Sequence, residues 1–448
     1  MMDMHVTDTD RPDPSVMELI AARPSLSMHA MDGLLLDDVP LNTIADAQGT
    51  PCWVYSAGTF RRRYRLLRDA LAEAGIAPHI HFAVKANDHL AVLRLLGNEG
   101  AGADVVSGGE LSRARAAGIP GERIVFSGVG KTAAELTLAL SEGIAQINVE
   151  SAEELEMLSA IACGMGRTAR IALRVNPDVD AGTHPKITTG LADNKFGIQA
   201  GDVPALYARA ASLPGIEPVG LAMHIGSQIN VMTPFLAAFR RMAILVQALR
   251  DQGLTVRLVD CGGGLGIDYR GDVTSTPAAL AGAMKAELGG LDVQLVLEPG
   301  RWLAGPAGVL LSSVVLVKQS RPRPFVVLDA AMNDLLRPSL YEAWHGIVPL
   351  SAVEAAHMPI DCDVVGPVCE TGDTFARSRS LPPLQAGSRV AILEAGAYGA
   401  VMSSTYNARP LAAQVLVDDG HWTVIRPRQT VDALWRDEVI PPHLIRQG

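Results

Sequence analysis

The sequence predicts a two-part α/β chain: a parallel (β/α)8 barrel joined to a second, mostly antiparallel β domain. Three observations predict it. Eight short β-type runs recur through the middle of the chain, and helical periods fill nearly every gap between them. Residues with chemical potential gather at the C-terminal ends of many of these runs, where such a barrel keeps its reactive groups. Beyond Arg301 the long helical periods stop, and apolar runs alternate with Gly/Pro turns. A doubly wound open sheet shares the first feature. It does not spread chemical residues over so many strand ends.

Residues 1–25 mix Asp, Pro, Thr and Met without a period and are expected to be disordered. From Leu34 to Tyr55, apolar pieces broken by Pro40, Gly49 and Pro51 read as strands with one small helix. A helix begins near Thr59, with Phe60, Tyr64, Leu67, Leu71 and Ala74 on one face. The eight β-type runs are 79–85, 103–107, 123–127, 146–150, 170–176, 219–227, 257–262 and 294–298. Helical patterns lie near 88–97, 109–118, 132–143, 151–163, 203–213, 233–253 and 276–289. Ser151 with Glu154 has capping-box spacing, and Thr233-Pro234 reads as an N-cap followed by proline at the first helical position. Later strands are expected at 309–317, 325–328, 364–368, 390–393, 415–417 and 422–425. The domain plan is an N-terminal extension over 1–25, a barrel over 56–303, and a β domain built from 26–55 and 304–448.

Composition excludes several function classes. The formal net charge is −10 with no basic run, which argues against a nucleic-acid partner. No apolar run approaches the roughly 20 residues of a membrane span, and the N-terminus has no signal pattern. Cys52, Cys163, Cys261, Cys362 and Cys369 are scattered and never spaced C-x-x-C. They read as reduced thiols of a cytoplasmic protein without a metal site.

The strand ends hold the chemistry. The first run ends on Lys85, and a lysine at the end of a buried strand can lose its proton and attack a carbonyl carbon. An arbitrary lysine there would be a surface residue; its company decides otherwise. The second run gives Asp104 and then Ser107-Gly108-Gly109-Glu110, and the fifth gives Arg174 and Asn176. The sixth gives His224-Ile225-Gly226-Ser227, and the seventh Asp260 followed by Gly262, Gly263 and Gly264. The eighth gives Glu298-Pro299-Gly300-Arg301. Consecutive glycines let backbone N–H groups approach an anion, and Ser227 can donate to it. A carboxylate at a strand end can hold a pyridinium nitrogen. Alone, a glycine run is a tight turn, His224 a polar barrel residue, and Glu298 with Arg301 a salt bridge. The run is not a dinucleotide fingerprint, because its third glycine would fall on Ile267. Ser127-Gly128-Val129-Gly130-Lys131-Thr132 imitates a phosphate loop, but the required glycine at 125 is Val125, and Thr132 with Glu135 reads as a helix cap.

Phe82-Ala83-Val84-Lys85-Ala86-Asn87, the His224 to Ser227 motif, the glycine run and Glu298-Pro299-Gly300-Arg301 resemble the pyridoxal-phosphate enzymes of the alanine-racemase fold. Within them the chain is most similar to the diaminopimelate decarboxylase family, from about Gly33 to Arg426. The stretches that carry this closer resemblance are Gly182-Thr183-His184 through Thr189-Gly190 to Lys195-Phe196-Gly197, Leu336-Arg337-Pro338 to Tyr341, Cys369-Glu370-Thr371-Gly372-Asp373, and Tyr398 to Tyr406-Asn407. The cofactor motifs are shared with ornithine and arginine decarboxylases, so they imply the cofactor, pyridoxal 5'-phosphate, and not the substrate.

The resemblance implies decarboxylation of meso-2,6-diaminoheptanedioate to L-lysine and carbon dioxide, the last step of lysine biosynthesis. It implies that Lys85 carries the cofactor, with Asp104 among the cofactor-binding residues, and that His224 stacks on the ring. Ser227, Gly262, Gly263, Gly264 and Gly300 would hold the phosphate, and Glu298 the ring nitrogen. Arg301, Arg337 and Tyr341 would bind substrate carboxylate, Glu370 the distal ammonium, and Tyr398 would border the cofactor and contact substrate, with Arg301 also among the cofactor-binding residues. Cys369 would return the proton. In this family Cys369 and Glu370 come from the second subunit, which implies a homodimer with shared active sites. Two features depart from the family pattern. Trp302 stands where the family often has a small residue, which would reshape the pocket rim, and the N-terminal extension is additional. Rival readings are a decarboxylase for another basic or carboxylated amino acid, a non-catalytic cofactor-binding regulator, and a cofactor-free barrel aldolase. Lys85 with Cys369 argues against the regulator, and the glycine run with Glu298 against the aldolase.

Overall fold

The computed structural model describes residues 12–77, 79–182, 184, 194–270 and 275–445. Thr183, Thr189 and Gly190 lie outside them. Eight strands form the barrel: β1 (His79–Ala83), β2 (Gly102–Val105), β3 (Ile124–Phe126), β4 (Gln146–Val149), β5 (Ala169–Asn176), β6 (Ile216–Met223), β7 (Leu258–Asp260) and β8 (Gln294–Leu297). Each pairs in parallel with the next. Val296 and Leu297 of β8 then pair with His79 and Ile80 of β1 and close the ring, which rules out the open sheet. Strands covered by helices are buried on both faces, so they read as apolar runs. Their polar residues are the exceptions that matter: Asp104, Gln146, Asn148, Arg174 and Asp260 are all buried. Because side chains alternate, Gln146 and Asn148 share one face of β4. Both amides reach toward Asp260 Oδ2 on β7 at 3.4 Å, which makes that face the barrel interior.

The helices occupy the expected gaps, with two corrections at their starts. Ser151 Oγ accepts the Glu154 N–H at 3.1 Å, but the box is not completed. Glu154 instead accepts the Glu150 N–H and the Lys131 amine. Thr233 is the first helical residue, not its cap, and the N-cap position is Met232. Thr132 and Glu135 do form a full capping box.

The second unit comprises Met1–Ser56, Gly308–Ala395 and Met402–Gly448, while Gly396–Val401 group with the barrel, Ala57–Ala307. The sequence places all of 304–448 in the β domain; residues 304–307 and 396–401 group with the barrel instead, the second stretch for a local reason. Tyr398 N–H donates to the Ala86 carbonyl at 2.8 Å and Gly396 N–H to Gly305 at 3.1 Å. In the β unit, Cys52–Ser56 pairs antiparallel with Gly308–Lys318, so that Tyr55 faces Gly308 across the start of the ladder. The sheet runs on through Phe325–Leu328, Ile360–Val365 and Thr374–Leu381 on one side, and Ala413–Asp418 and His421–Arg426 on the other. Its core includes Leu34, Leu41, Ile44, Val54, Leu311, Val348 and Val415. The segment 12–25 also corrects the sequence reading. It carries a helix, Val16–Ala21, with a Ser15–Glu18 capping box and with Leu19 and Ile20 buried. Among the described residues no helix is long and apolar enough to cross a membrane, and all five cysteines are free thiols.

Candidate active site

Lys85 does not end a strand. β1 stops at Ala83, and Val84–Ala86 form a single 3-10 turn that lifts Lys85 off the strand line. Its amine donates to Asp104 Oδ2 at 3.1 Å. Burial alone would discharge this lysine, but the charge of Asp104, then those of Tyr398 and Glu298, and the Asp104 hydrogen bond outweigh it and raise its pKa. The side chain keeps 39% of its surface accessible, so the upward direction rests on the direct Asp104 contact more than on enclosure.

Two buried carboxylates, Asp104 and Glu298, act on this amine, and a third, Asp260, interacts with both of them. Asn148 donates to Glu298 Oε1 at 3.3 Å and to Ser127 Oγ at 3.0 Å. Burial pushes Glu298 well above the usual carboxylate range, and the charges of Asp104 and Asp260 add to the shift. Burial raises Asp260 as well. Asp104 Oδ1 is buried with no hydrogen-bond partner. One lysine therefore faces a surplus of buried negative charge, which costs free energy unless it is neutralised by protons or by a cation. A group bringing a protonated ring nitrogen fits that surplus.

An anion seat adjoins it. A Cβ on Gly263 would collide with the Glu298 carbonyl. Gly264, at φ +109°, would place one 2.6 Å from the Gly226 carbonyl. The run is thus glycine because the ends of β6, β7 and β8 crowd together there. Gly262 N–H donates to Asp260 Oδ1 at 3.0 Å, and Gly263 N–H to His224 Nδ1 at 3.3 Å. The second bond places the imidazole proton on Nε2. Burial, helped by the charges of Arg174 and Lys85, drives the His224 pKa well down and keeps the ring neutral. Arg301 donates to Ser227 Oγ through Nε at 3.2 Å and Nη2 at 3.0 Å, and to the Tyr269 hydroxyl through Nη1 at 3.0 Å. Ser227 accepts from Arg301, so its own proton is directed elsewhere, as a phosphate donor requires. The Arg301 guanidinium lies 5.0 Å over the Tyr398 ring. A Cβ on Gly300 would stand 2.9 Å from the Tyr398 hydroxyl. Tyr398 itself has φ +55°, a conformation costly for a side chain of this size and often found at functional sites.

The remaining predicted residues belong to the β unit. Arg337 and Tyr341 share a short helix, Arg337–Tyr341. Ser339 Oγ on that helix donates to the Gly372 carbonyl at 2.7 Å, tying it to the loop that carries Cys369 and Glu370. Cys369 is exposed, and its N–H donates to Asn407 Oδ1 at 2.9 Å.

Residues 57–305 match the family model for the pyridoxal binding domain of pyridoxal-dependent decarboxylases. The chain is 50% identical over 408 residues to a diaminopimelate decarboxylase of Zymomonas mobilis, covering 90% of this chain and 96% of that protein. The chain belongs to the diaminopimelate decarboxylase family. Among solved structures it is similar to a diaminopimelate decarboxylase from Helicobacter pylori complexed with L-lysine, with a TM-score of 0.85, 39% identity, and coverage of 88% of this chain and 98% of that one. It is also similar to the diaminopimelate decarboxylase of M. jannaschii in co-complex with L-lysine, with a TM-score of 0.89, 35% identity, and coverage of 94% and 99%.

In this member of the diaminopimelate decarboxylase family, several residues around the site were not singled out by motif. Tyr269 bonds Arg301 but lies in no pattern. Gln146, Asn148 and Glu150 left a signal, a polar period of two along a buried strand and the residue that follows it. Trp302, expected to reshape the pocket rim, is buried against helix Ala57–Glu73. The Arg63 guanidinium lies 3.2 Å over its ring, and Trp302 Nε1 donates to the Arg63 carbonyl at 3.3 Å. Lys131 of the false phosphate loop turns inward to the Gly128 and Asn148 carbonyls and Glu154, each at 2.7 Å.

Proposed function

We propose that the chain is a pyridoxal-phosphate-dependent decarboxylase that converts meso-2,6-diaminoheptanedioate to L-lysine and carbon dioxide, the last step of lysine biosynthesis. The observation that carries it is Lys85 bonded to Asp104 among surplus buried carboxylates, beside the Ser227–Arg301 seat and in a chain of this family. The bound cofactor supplies an electron sink for the charge left on the substrate's α-carbon when its carboxylate departs. The protein's residues do the rest. Asp104 orients the Lys85 amine that holds the cofactor. Glu298, steadied by Asn148 and Ser127, faces the ring nitrogen as its counter-charge. Neutral His224 offers a flat ring without a competing charge. Ser227, with the backbone of Gly264 and Gly300, receives the phosphate; Gly262 and Gly263 give the run its close approach while their N–H groups hold Asp260 and His224, and Tyr398 borders the site. Arg337, Tyr341 and Glu370 read the distal carboxylate and ammonium, with Arg301 as a further carboxylate ligand. The Cys369 thiol returns one proton to the α-carbon. The working unit is a cytoplasmic homodimer in which Cys369 and Glu370 serve the site of the opposite subunit. Free thiols and the acidic, run-free charge distribution support the compartment.

The test is a product assay with candidate amino acids on cofactor-loaded protein. Lys85→Ala should lose the cofactor's visible band and all turnover. Arg337→Ala leaves a carboxylate without its partner, a cost of about 2–5 kcal/mol. That corresponds to roughly 30-fold to several-thousand-fold in kcat/KM, with cofactor binding retained. If ornithine or lysine is decarboxylated as well as diaminopimelate, the substrate assignment fails while the cofactor assignment stands.

A further inference from the structure

Arg337 is 5% exposed, and a chain of buried polar contacts holds it from behind. Its Nη1 lies 2.8 Å from His345 Nε2. A guanidinium only donates, so Nε2 accepts and the imidazole proton sits on Nδ1. That proton is given to the Leu393 carbonyl at 2.7 Å. The His345 carbonyl accepts from Arg379 Nη1 at 2.7 Å. The Arg379 guanidinium lies 4.4 Å over the Trp344 ring, and its Nε is 3.3 Å from Asp13 Oδ2. Asp13 also accepts from Trp344 Nε1 at 3.1 Å and from the Ser380 N–H at 3.2 Å. The segment is anchored at its other end too. Arg23 Nη2 donates to Glu394 Oε2 at 2.7 Å, one residue from the carbonyl that fixes His345. Between the two anchors, helix Val16–Ala21 buries Val16, Leu19 and Ile20.

We propose that segment 13–23 is a positioning device for substrate recognition: Asp13, acting through Arg379, Trp344 and His345, fixes the angle at which Arg337 meets its carboxylate. The proposal rests on the reading of Arg337 as the distal-carboxylate ligand. Asp13 touches no substrate and is a positioning residue. Its carboxylate pairs directly with Arg379, whose side chain is only 5% exposed. Without it that guanidinium loses a direct charge partner and part of what holds its orientation. The Arg379 bond to the His345 carbonyl and the Trp344 indole bond to Asp13 are then weakened or lost together. The His345 ring loses its fixed frame, and Arg337 loses the acceptor that sets its rotamer. The reacting end of the substrate is gripped elsewhere, so the defect falls on KM and spares kcat.

The experiment measures KM and kcat for diaminopimelate on cofactor-saturated enzyme, with Tm and the cofactor absorption band recorded beside them. Four variants are compared: Asp13→Ala, Trp344→Phe, Arg337→Ala and the Asp13→Ala/Arg337→Ala double. Trp344→Phe keeps a ring beneath Arg379 and deletes only the N–H, so it carries the test if Asp13→Ala does not fold. Asp13→Ala should raise KM about tenfold with kcat within about twofold, and the absorption band should not move. The double variant should be no worse than Arg337→Ala, because Asp13 acts only through Arg337. Effects of Asp13→Ala and Arg337→Ala that multiply overturn the proposal, as does an unchanged KM in both Asp13→Ala and Trp344→Phe. An unchanged KM in Arg337→Ala instead overturns the carboxylate reading of Arg337, and the positioning proposal falls with it.

Discussion

Burial pushes the Glu110 carboxyl up to about 7; the Val106 N–H it accepts offsets part of this, and the Asp104 charge adds to it. Between about pH 4.5 and 7 the folded protein therefore holds a proton that the unfolded chain has released. Stability falls as pH rises through that window. Glu110→Gln keeps an acceptor for Val106 and removes the titration. Its stability advantage over the wild type should be near zero at pH 4 and grow up to pH 8, to on the order of 3 kcal/mol as an upper bound, with Tm rising accordingly. Thermal unfolding of the cofactor-free protein at both pH values measures it, and a constant gap would refute the shift. Single residues were legible in the sequence where they follow closely on the C-terminal end of a barrel strand, as Lys85, His224, Ser227 and Glu298 do. Their partners were not. Asn148 meets Glu298, and Arg301 meets Tyr269, only after the ring has closed, and no local spacing encodes that.

Elements were legible where their period was clean. Strand Thr374–Leu381 was missed because its sequence, TFARSRSL, alternates with serine and arginine and offers no apolar run. Helix Val16–Ala21 was missed because six residues are too few for a period, although its Ser15–Glu18 cap was there to be read. The turn 127–132 shows the opposite case, a motif whose pieces serve packing. Lys131 Nζ spends its hydrogen bonds on two carbonyls and Glu154, and Gly128 N–H donates to Glu150. Lys131→Ala strands a buried carboxylate and should cost about 3–5 kcal/mol. The double Lys131→Met/Glu154→Leu should recover part of that loss. Urea unfolding midpoints of the two variants decide it; a double variant weaker than the single would contradict a simple buried pair.

At the scale of the whole molecule, the residues proposed for proton return and ammonium recognition lie in a different unit from Lys85. If they serve the opposite subunit, mixing inactive Lys85→Ala with inactive Cys369→Ala should restore up to about a quarter of wild-type activity, the share expected when random exchange gives half hybrids with one intact site each. No recovery, with exchange shown by mass spectrometry, would mean each chain completes its own site. The two-unit plan was legible because the period of the chain changes at Arg301. The return of Gly396–Val401 to the barrel was not, since it depends on backbone bonds from Tyr398 to Ala86 and from Gly396 to Gly305. The ladder between Cys52–Ser56 and Gly308–Lys318 also dictates an order of events during folding. Those strands flank an insertion of about 250 residues, and joining them across an unstructured chain of that length costs about 5 kcal/mol of closure entropy. A barrel already formed brings its own two ends together and removes most of that cost. Pulse-labelled hydrogen exchange should therefore find β1 and β8 protected before Val54 and Val309. The β unit, although it starts first in the chain, is the half that waits.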